Sequence, residues 1–129
     1  MEDSKYDAEG NLKNGIIKEY FKNGAVSSEG EYINGEKNGL WKYYLLNGLI
    51  KAIGNFENGK MVGLWKWYRE NGKLMQEGSF GTDEMKSGIW KRFHPNGNLY
   101  DEGLYKNDAK KDEWKTYNAD GILTKKKRY

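Results

Sequence analysis

The chain has 129 residues, a formal net charge of +3, no cysteine and one histidine. By length it is one domain or one short array, and the missing cysteines exclude a disulfide framework and a thiolate metal site. Nineteen acidic residues against 22 basic ones lack the imbalance of a dedicated nucleic-acid binder, while ten Tyr and five Trp each bring roughly 150–250 Å² of buriable ring surface, so folding must rest on aromatic contacts.

Residues 1–14 read as the end of a partial unit, with Tyr6 in an aromatic slot. The start Met1-Glu2-Asp3-Ser4-Lys5 has neither the basic head nor the apolar run of a secretory signal. No stretch approaches the roughly 20 apolar residues of a membrane span. The chain is expected to be cytoplasmic, although a mature exported fragment with an added Met would look the same.

From residue 15 the sequence repeats, and repeats are to be sought before any local reading. Gly15-Ile16-Ile17, Gly39-Leu40-Trp41, Gly63-Leu64-Trp65, Gly88-Ile89-Trp90 and Asp112-Glu113-Trp114 follow one another at spacings of 24, 24, 25 and 24 residues. Each is followed by an aromatic (Tyr20, Tyr44, Tyr68, Phe93, Tyr117), a glycine (Gly24, Gly48, Gly72, Gly97, Gly121) and an aliphatic (Val26, Ile50, Leu74, Leu99, Leu123). Gly30, Gly54, Gly78 and Gly103 come next, each two residues before Tyr32, Phe56, Phe80 or Tyr105. In the last copy Lys127 stands at the glycine position and Tyr129 in the aromatic slot. This defines a single repeat domain over 1–129, with units at about 15–38, 39–62, 63–87, 88–111 and 112–129.

Each unit reads as a β-hairpin. The first strand, Leu40 to Tyr44 in the second copy, leads through Asn47-Gly48 into a second strand, Leu49 to Phe56, which ends at Asn58-Gly59. Asn-Gly is a strong hairpin signal because both residues accept positive φ. Strands joined only by short turns pair antiparallel. The predicted fold is therefore all-β: tandem β-hairpins in an open, twisted antiparallel meander sheet, with no helix beyond a turn.

The second strands alternate with period two, so Val26, Gly30 and Tyr32 are expected on a packed face and Ser27, Glu29 and Glu31 on a wet one. The mid-strand glycine leaves a slot that a Trp ring from the adjacent strand can cover. Trp41 and Tyr44 are three residues apart, so either a bulge intervenes or both faces carry rings.

The stretch Glu29-Gly30-Glu31-Tyr32-Ile33-Asn34-Gly35, continued by Gly39-Leu40-Trp41-Lys42-Tyr43-Tyr44, resembles the MORN-repeat variant of bacterial proteins. The likeness extends from about Gly15 to Tyr129, with departures at Ile17, Thr82-Asp83 and Asp112. It implies a MORN-like sheet. It also implies kinship with YwqK-like antitoxins of toxin–antitoxin systems and with the immunity proteins that accompany secreted toxins. The function this resemblance implies is binding and neutralising a cognate toxin, with a protein partner and no cofactor.

The residues themselves show no enzyme chemistry. His94, before Pro95, has no second His or Cys to build a metal site and no nucleophile motif beside it, and reads as an exposed turn residue. Glu29 and Glu31 read as solvated strand residues, not a glycosidase pair. No catalytic or metal residue and no cofactor is expected, and the chain is expected not to be an enzyme.

Three binding features remain. Lys18, Lys42, Lys66, Lys91 and Lys115 recur at one position of every unit, either as an anionic-ligand stripe or as stems lying along neighbouring rings. Lys125-Lys126-Lys127-Arg128 could contact nucleic acid, but at a free sheet edge it reads more readily as protection of an edge strand. The slot two beyond each anchor varies in character: Glu19, Tyr43, Trp67, Arg92, Thr116. Tyr43, Trp67 and Arg92, flanked by Arg69, are hot-spot residue types and form the expected partner surface, unless Tyr43 and Trp67 merely extend the hydrophobic face. The alternative function is a scaffold or membrane-proximal module that binds anionic lipid or self-associates into a homo-oligomer. A carbohydrate-binding repeat with exposed Trp is a third reading.

Overall fold

The structure, a computed structural model, describes residues 4–129; Met1, Glu2 and Asp3 of the partial unit lie outside the described residues. Ten strands form one sheet in sequential order: β1 (Gly15–Tyr20), β2 (Val26–Ile33), β3 (Glu36–Tyr44), β4 (Ile50–Glu57), β5 (Lys60–Tyr68), β6 (Leu74–Phe80), β7 (Lys86–Phe93), β8 (Leu99–Lys106), β9 (Ala109–Tyr117) and β10 (Leu123–Arg128). Neighbours are antiparallel throughout, and β1 and β10 do not close on each other. The predicted open meander is the observed fold. Within the partial unit, a single bridge joins Tyr6 to Leu12.

Two kinds of turn alternate. Between units, Asn34-Gly35, Asn58-Gly59 and Asn107-Asp108 hold positive φ at both residues, the two-residue hairpin geometry that matches strand twist. The junction between β6 and β7 carries the extra residue of the 25-residue spacing. There a short 3₁₀ turn, Thr82–Glu84, replaces Asn-Gly, and Asp83 and Glu84 take the positive φ. Within units the geometry differs from the expected Asn-Gly pair: only the glycine is left-handed, as at Gly48 with φ 86°. The preceding Asn instead uses its side chain, Asn47 Oδ1 accepting the Leu49 N–H at 2.9 Å, an Asx arrangement.

Bulges decide which side chains share a face. Inside each hairpin the second strand carries one extra residue: Tyr43 pairs with Ala52 but Tyr44 with Ile50, which leaves Lys51 over. Ser27, Met75, Tyr100 and Thr124 are the extra residues of the other units. Cross-strand partners share a face, so Val26 and Ile50 belong with Tyr20 and Tyr44, not with Gly30 and Tyr32 as strict alternation implied. The one-residue slip reverses the side-chain parity. Tyr44 accordingly sits opposite Trp41 and Tyr43, and its hydroxyl donates to Glu29 at 2.7 Å. Both faces carry rings.

Between units the bulge is wider. Glu29 pairs with Lys42 and Glu31 with Asn38, so Gly39, Leu40 and Trp41 together face Gly30. The positive φ that opens this bulge falls on Gly39, Gly63, Gly88 and Asp112; Asp112 adopts it at 58° in place of glycine, which Asp tolerates better than most residues. The bulge swings Trp41 over Gly30, Trp65 over Gly54, Trp90 over Gly78 and Trp114 over Gly103, so tightly that any Cβ on those glycines would overlap the indole. Each indole N–H then donates to a carbonyl of the covered strand, for example Trp41 to Glu31 O and Trp65 to Asn55 O, both at 3.0 Å. These four tryptophans, with Tyr32 and Ala52, are the buried hydrophobic core.

Candidate functional site

The Trp-bearing side of the sheet is a ring face. Edge-on rings of Phe56, Phe80 and Tyr105 wedge between tryptophans at centroid distances of 5.0–6.1 Å, and Tyr32 meets Trp41 edge-on at 5.0 Å. In the central units Tyr43 and Trp67 complete a run with Trp41, Trp65 and Trp90, with successive centroids 6.2, 6.4, 6.0 and 5.8 Å apart and planes tilted by 28–38°. Tyr43 and Trp67 are half-buried. They do extend the hydrophobic face, and the Tyr43 hydroxyl accepts a hydrogen bond from Lys37 Nζ at 2.6 Å.

A second lysine series, which the sequence reading missed, lies on this face. Lys37, Lys86 and Lys110 hold their ammonium groups 4.8, 4.8 and 4.6 Å from the centroids of Trp41, Trp90 and Trp114, and Lys13 lies 5.1 Å over Tyr32. Such cation–π contacts contribute about 0.5–1 kcal/mol each where exposed. Their spacing follows the repeat, with Met61 in the third place. The pairing of Lys37 with Tyr32 is the signal that would have put them on the ring face.

Beyond Trp90 the variable slot stops being aromatic. Arg92 grips the buried Asp101, 6% exposed, with Nε donating to Oδ1 at 3.0 Å and Nη2 to Oδ2 at 2.6 Å. This hydrogen bonding holds the Arg92 pKa above its usual value. The guanidinium also stacks 4.9 Å from the Tyr100 ring centroid. With Thr116 next in the row, the space filled by Trp67 in the central units is left as hollows. Arg69, predicted to flank the row, donates from Nη2 to Phe93 O at 2.8 Å, while its Nε is buried and meets no acceptor among the described residues. The structure thus brings Arg69 and Arg92 to one hollow and places Tyr43 and Trp67 in the adjoining ring run.

On the opposite face, the predicted lysine row alternates with other residues. Reading across the strands gives Lys18, Glu29, Lys42, Ile53, Lys66, Glu77, Lys91, Glu102, Lys115 and Lys126. Carboxylates interrupt the positive charge, and the Lys18 ammonium lies 3.9 Å from Glu29. Beside this row stand Ile16, Leu40, Leu64 and Ile89, exposed by 74, 51, 50 and 56%. Lys125 and Lys127 turn to the ring face opposite Thr116 and Trp114, and Lys126 and Arg128 to the other.

His94 is not the exposed turn residue expected from sequence. It is half-buried, its Nε2–H donates to Tyr117 O at 2.8 Å, and its ring lies 4.8 Å from Tyr100. It links one unit's turn to the next, as Asn96 Nδ2 does by donating to Ala119 O at 2.8 Å. Among the described residues no His, Asp or Glu group could hold a metal ion, and no helix is long and apolar enough to cross a membrane.

Fold and faces define an open array of β-hairpin repeats joined by Trp-over-Gly contacts. The MORN repeat variant family model matches residues 13–34, 61–80 and 86–107, so the chain carries MORN-variant repeats. No curated protein matches it. Among solved structures, a TarM mutant of S. aureus in complex with fondaparinux, alpha-GlcNAc-glycerol and UDP aligns over 84% of this chain at 11% identity and a TM-score of 0.47. The chain spans 20% of that protein's length, and a likeness at this level bears on neither fold nor function here.

Proposed function

We propose that the chain is a protein-binding antitoxin or immunity protein that neutralises a cognate bacterial toxin in the cytoplasm by direct contact, without catalysis. The observation that supports this most is the ring face itself. Among the described residues the ten strands make a single layer, so none of those residues forms a second layer over the half-buried ring of Trp67. The slot it occupies is structurally equivalent in every unit and chemically different in each, which frees it to suit a partner. Tyr, Trp and Arg are the residue types that dominate interface energetics. The resemblance to YwqK-like antitoxins supplies the class of partner. Co-expression with the product of the adjacent open reading frame tests the reading: a stable complex and rescue of growth are expected, and no complex with a demonstrably toxic neighbour would sink it.

The alternative, a membrane-proximal scaffold, draws on the opposite face, where Ile16, Leu40, Leu64 and Ile89 flank the lysine row. Co-sedimentation with anionic vesicles that weakens with salt would favour it.

A further inference from the structure

The ring face is not uniform in charge. Between β7 and β10 it carries Lys86, Arg92, Lys110, Lys125 and Lys127 against the single carboxylate of Asp101. That is five cations to one anion, in contrast to the interrupted row on the other side. These groups surround three adjoining hollows that share Arg92 as a wall, of about 200, 280 and 370 Å³. The first is floored by Trp90 and Trp114, the second is rimmed by Lys110, Lys125 and Lys127, and the third is lined by Arg69, Arg92 and Tyr100. Asp101 occupies Nε and Nη2 of Arg92, which fixes the guanidinium and leaves Nη1 for a further acceptor.

We propose that these hollows receive an acidic segment of a protein partner, its carboxylates entering between Lys110, Lys125 and Lys127 and reaching the Arg92 guanidinium. This rests on the protein-binding reading above and names the chemistry of the partner's contact. Three features favour carboxylate side chains over other anions. Lys86 and Lys110 already lie on the faces of Trp90 and Trp114, so these rings are not bare platforms for nucleobases. The hollows are recesses, which protruding side chains enter and a flat headgroup layer does not. Strands two apart are about 10 Å from each other, a span an extended segment covers with alternate side chains.

The test uses the full chain and a fluorescent oligoglutamate peptide, with anisotropy read at low ionic strength. Saturable binding is expected, and it should weaken about tenfold or more in Lys110→Gln/Lys125→Gln and in Lys125→Gln/Lys127→Gln. The second variant changes only exposed β10 side chains, so loss of folding cannot explain the result. Lys42→Gln/Lys66→Gln removes the same charge from the opposite face and should bind as the parent does. Three results would overturn the proposal: no binding by the parent, equal loss in the opposite-face variant, or stronger capture of tripolyphosphate or phosphatidylserine vesicles through the same lysines. Failure with oligoglutamate while the cognate toxin still binds removes this inference and leaves the functional reading standing. Oligoglutamate binding without toxin binding removes the functional reading alone.

Discussion

The central units, β3 to β6, and the C-terminal units, β7 to β10, share one backbone and one Trp-over-Gly junction, yet their ring faces differ. Where the variable slot holds Tyr43 and Trp67, the rings run without a break from Trp41 to Trp90. Where it holds Arg92 and Thr116, the run stops, an exposed Arg92 gripping the buried Asp101 takes its place, and hollows open. The difference separates two jobs within a repeat. Invariant junction residues make the sheet, and a single free slot sets the character of its surface.

Substitutions at the junction should hurt both regions alike. Gly54→Val and Gly78→Val place a branched side chain where even a Cβ would overlap Trp65 or Trp90. Each should destabilise by about 3 kcal/mol or more, beyond the strand-propensity gain that Val would ordinarily bring. Gly103→Val, against Trp114, should cost a similar amount. Urea midpoints at constant m-value would measure this, and an unchanged midpoint for any of the three would remove the junction from the account.

Substitutions at the slot should separate the regions. Trp67→Ala opens the ring run and is expected to cost about 2–3 kcal/mol, below the value for a fully buried ring because Trp67 is half-exposed. Thr116→Ala, in the equivalent slot, should stay within about 0.5 kcal/mol. Equal effects at the two positions would mean that the slot does not distinguish the regions. Arg92→Ala leaves Asp101 buried without its partner and should cost about 2 kcal/mol. Adding Asp101→Asn should restore most of that loss, and a double-mutant cycle without coupling would contradict the pair's role.

A smaller effect sharpens the picture of the opposite face. The hydrogen bond to Glu29, with burial and the repulsion of that carboxylate, pushes the Tyr44 pKa from 10.0 up to about 12. Because folding raises this pKa, the contribution is complete below pH 10 and fades as the pH climbs through 12. Tyr44→Phe should therefore lose about 1 kcal/mol at neutral pH and show a shallower decline in stability above pH 10 than the parent. Parallel curves above pH 10 would show that the Tyr44–Glu29 bond is not formed in solution.

Much of this was legible in the residues. Gly30, Gly54, Gly78 and Gly103 stand at an almost fixed offset before Trp41, Trp65, Trp90 and Trp114, and a glycine slot with a nearby indole has one obvious packing solution. Short turns then dictated strand order. Faces were less legible, because each hairpin hides an extra residue such as Lys51 or Tyr100, and a bulge reverses side-chain parity without changing composition. That reversal sent Val26 and Ile50 away from the predicted face. The Arg92–Asp101 pair depends on the same register, in which Tyr100 is the residue left over. Arg69, Arg92, Tyr43 and Trp67 were placed in one row from the repeat alone, but the buried Arg69 Nε and the ring-face lysines required the pairing of β2 with β3 and of β5 with its neighbours.

The most direct test of the account is an NMR titration of the labelled chain with the toxin it is proposed to neutralise. The indole N–H groups of Trp41, Trp65, Trp90 and Trp114 donate to backbone carbonyls and serve as internal references for an intact sheet. The account predicts that shifts concentrate at Tyr43, Trp67, Arg69 and Arg92 on the ring face while those four references persist. Shifts confined to Ile16, Leu40, Leu64, Ile89 and the lysines beside them would contradict it, because the partner would then dock on the opposite face.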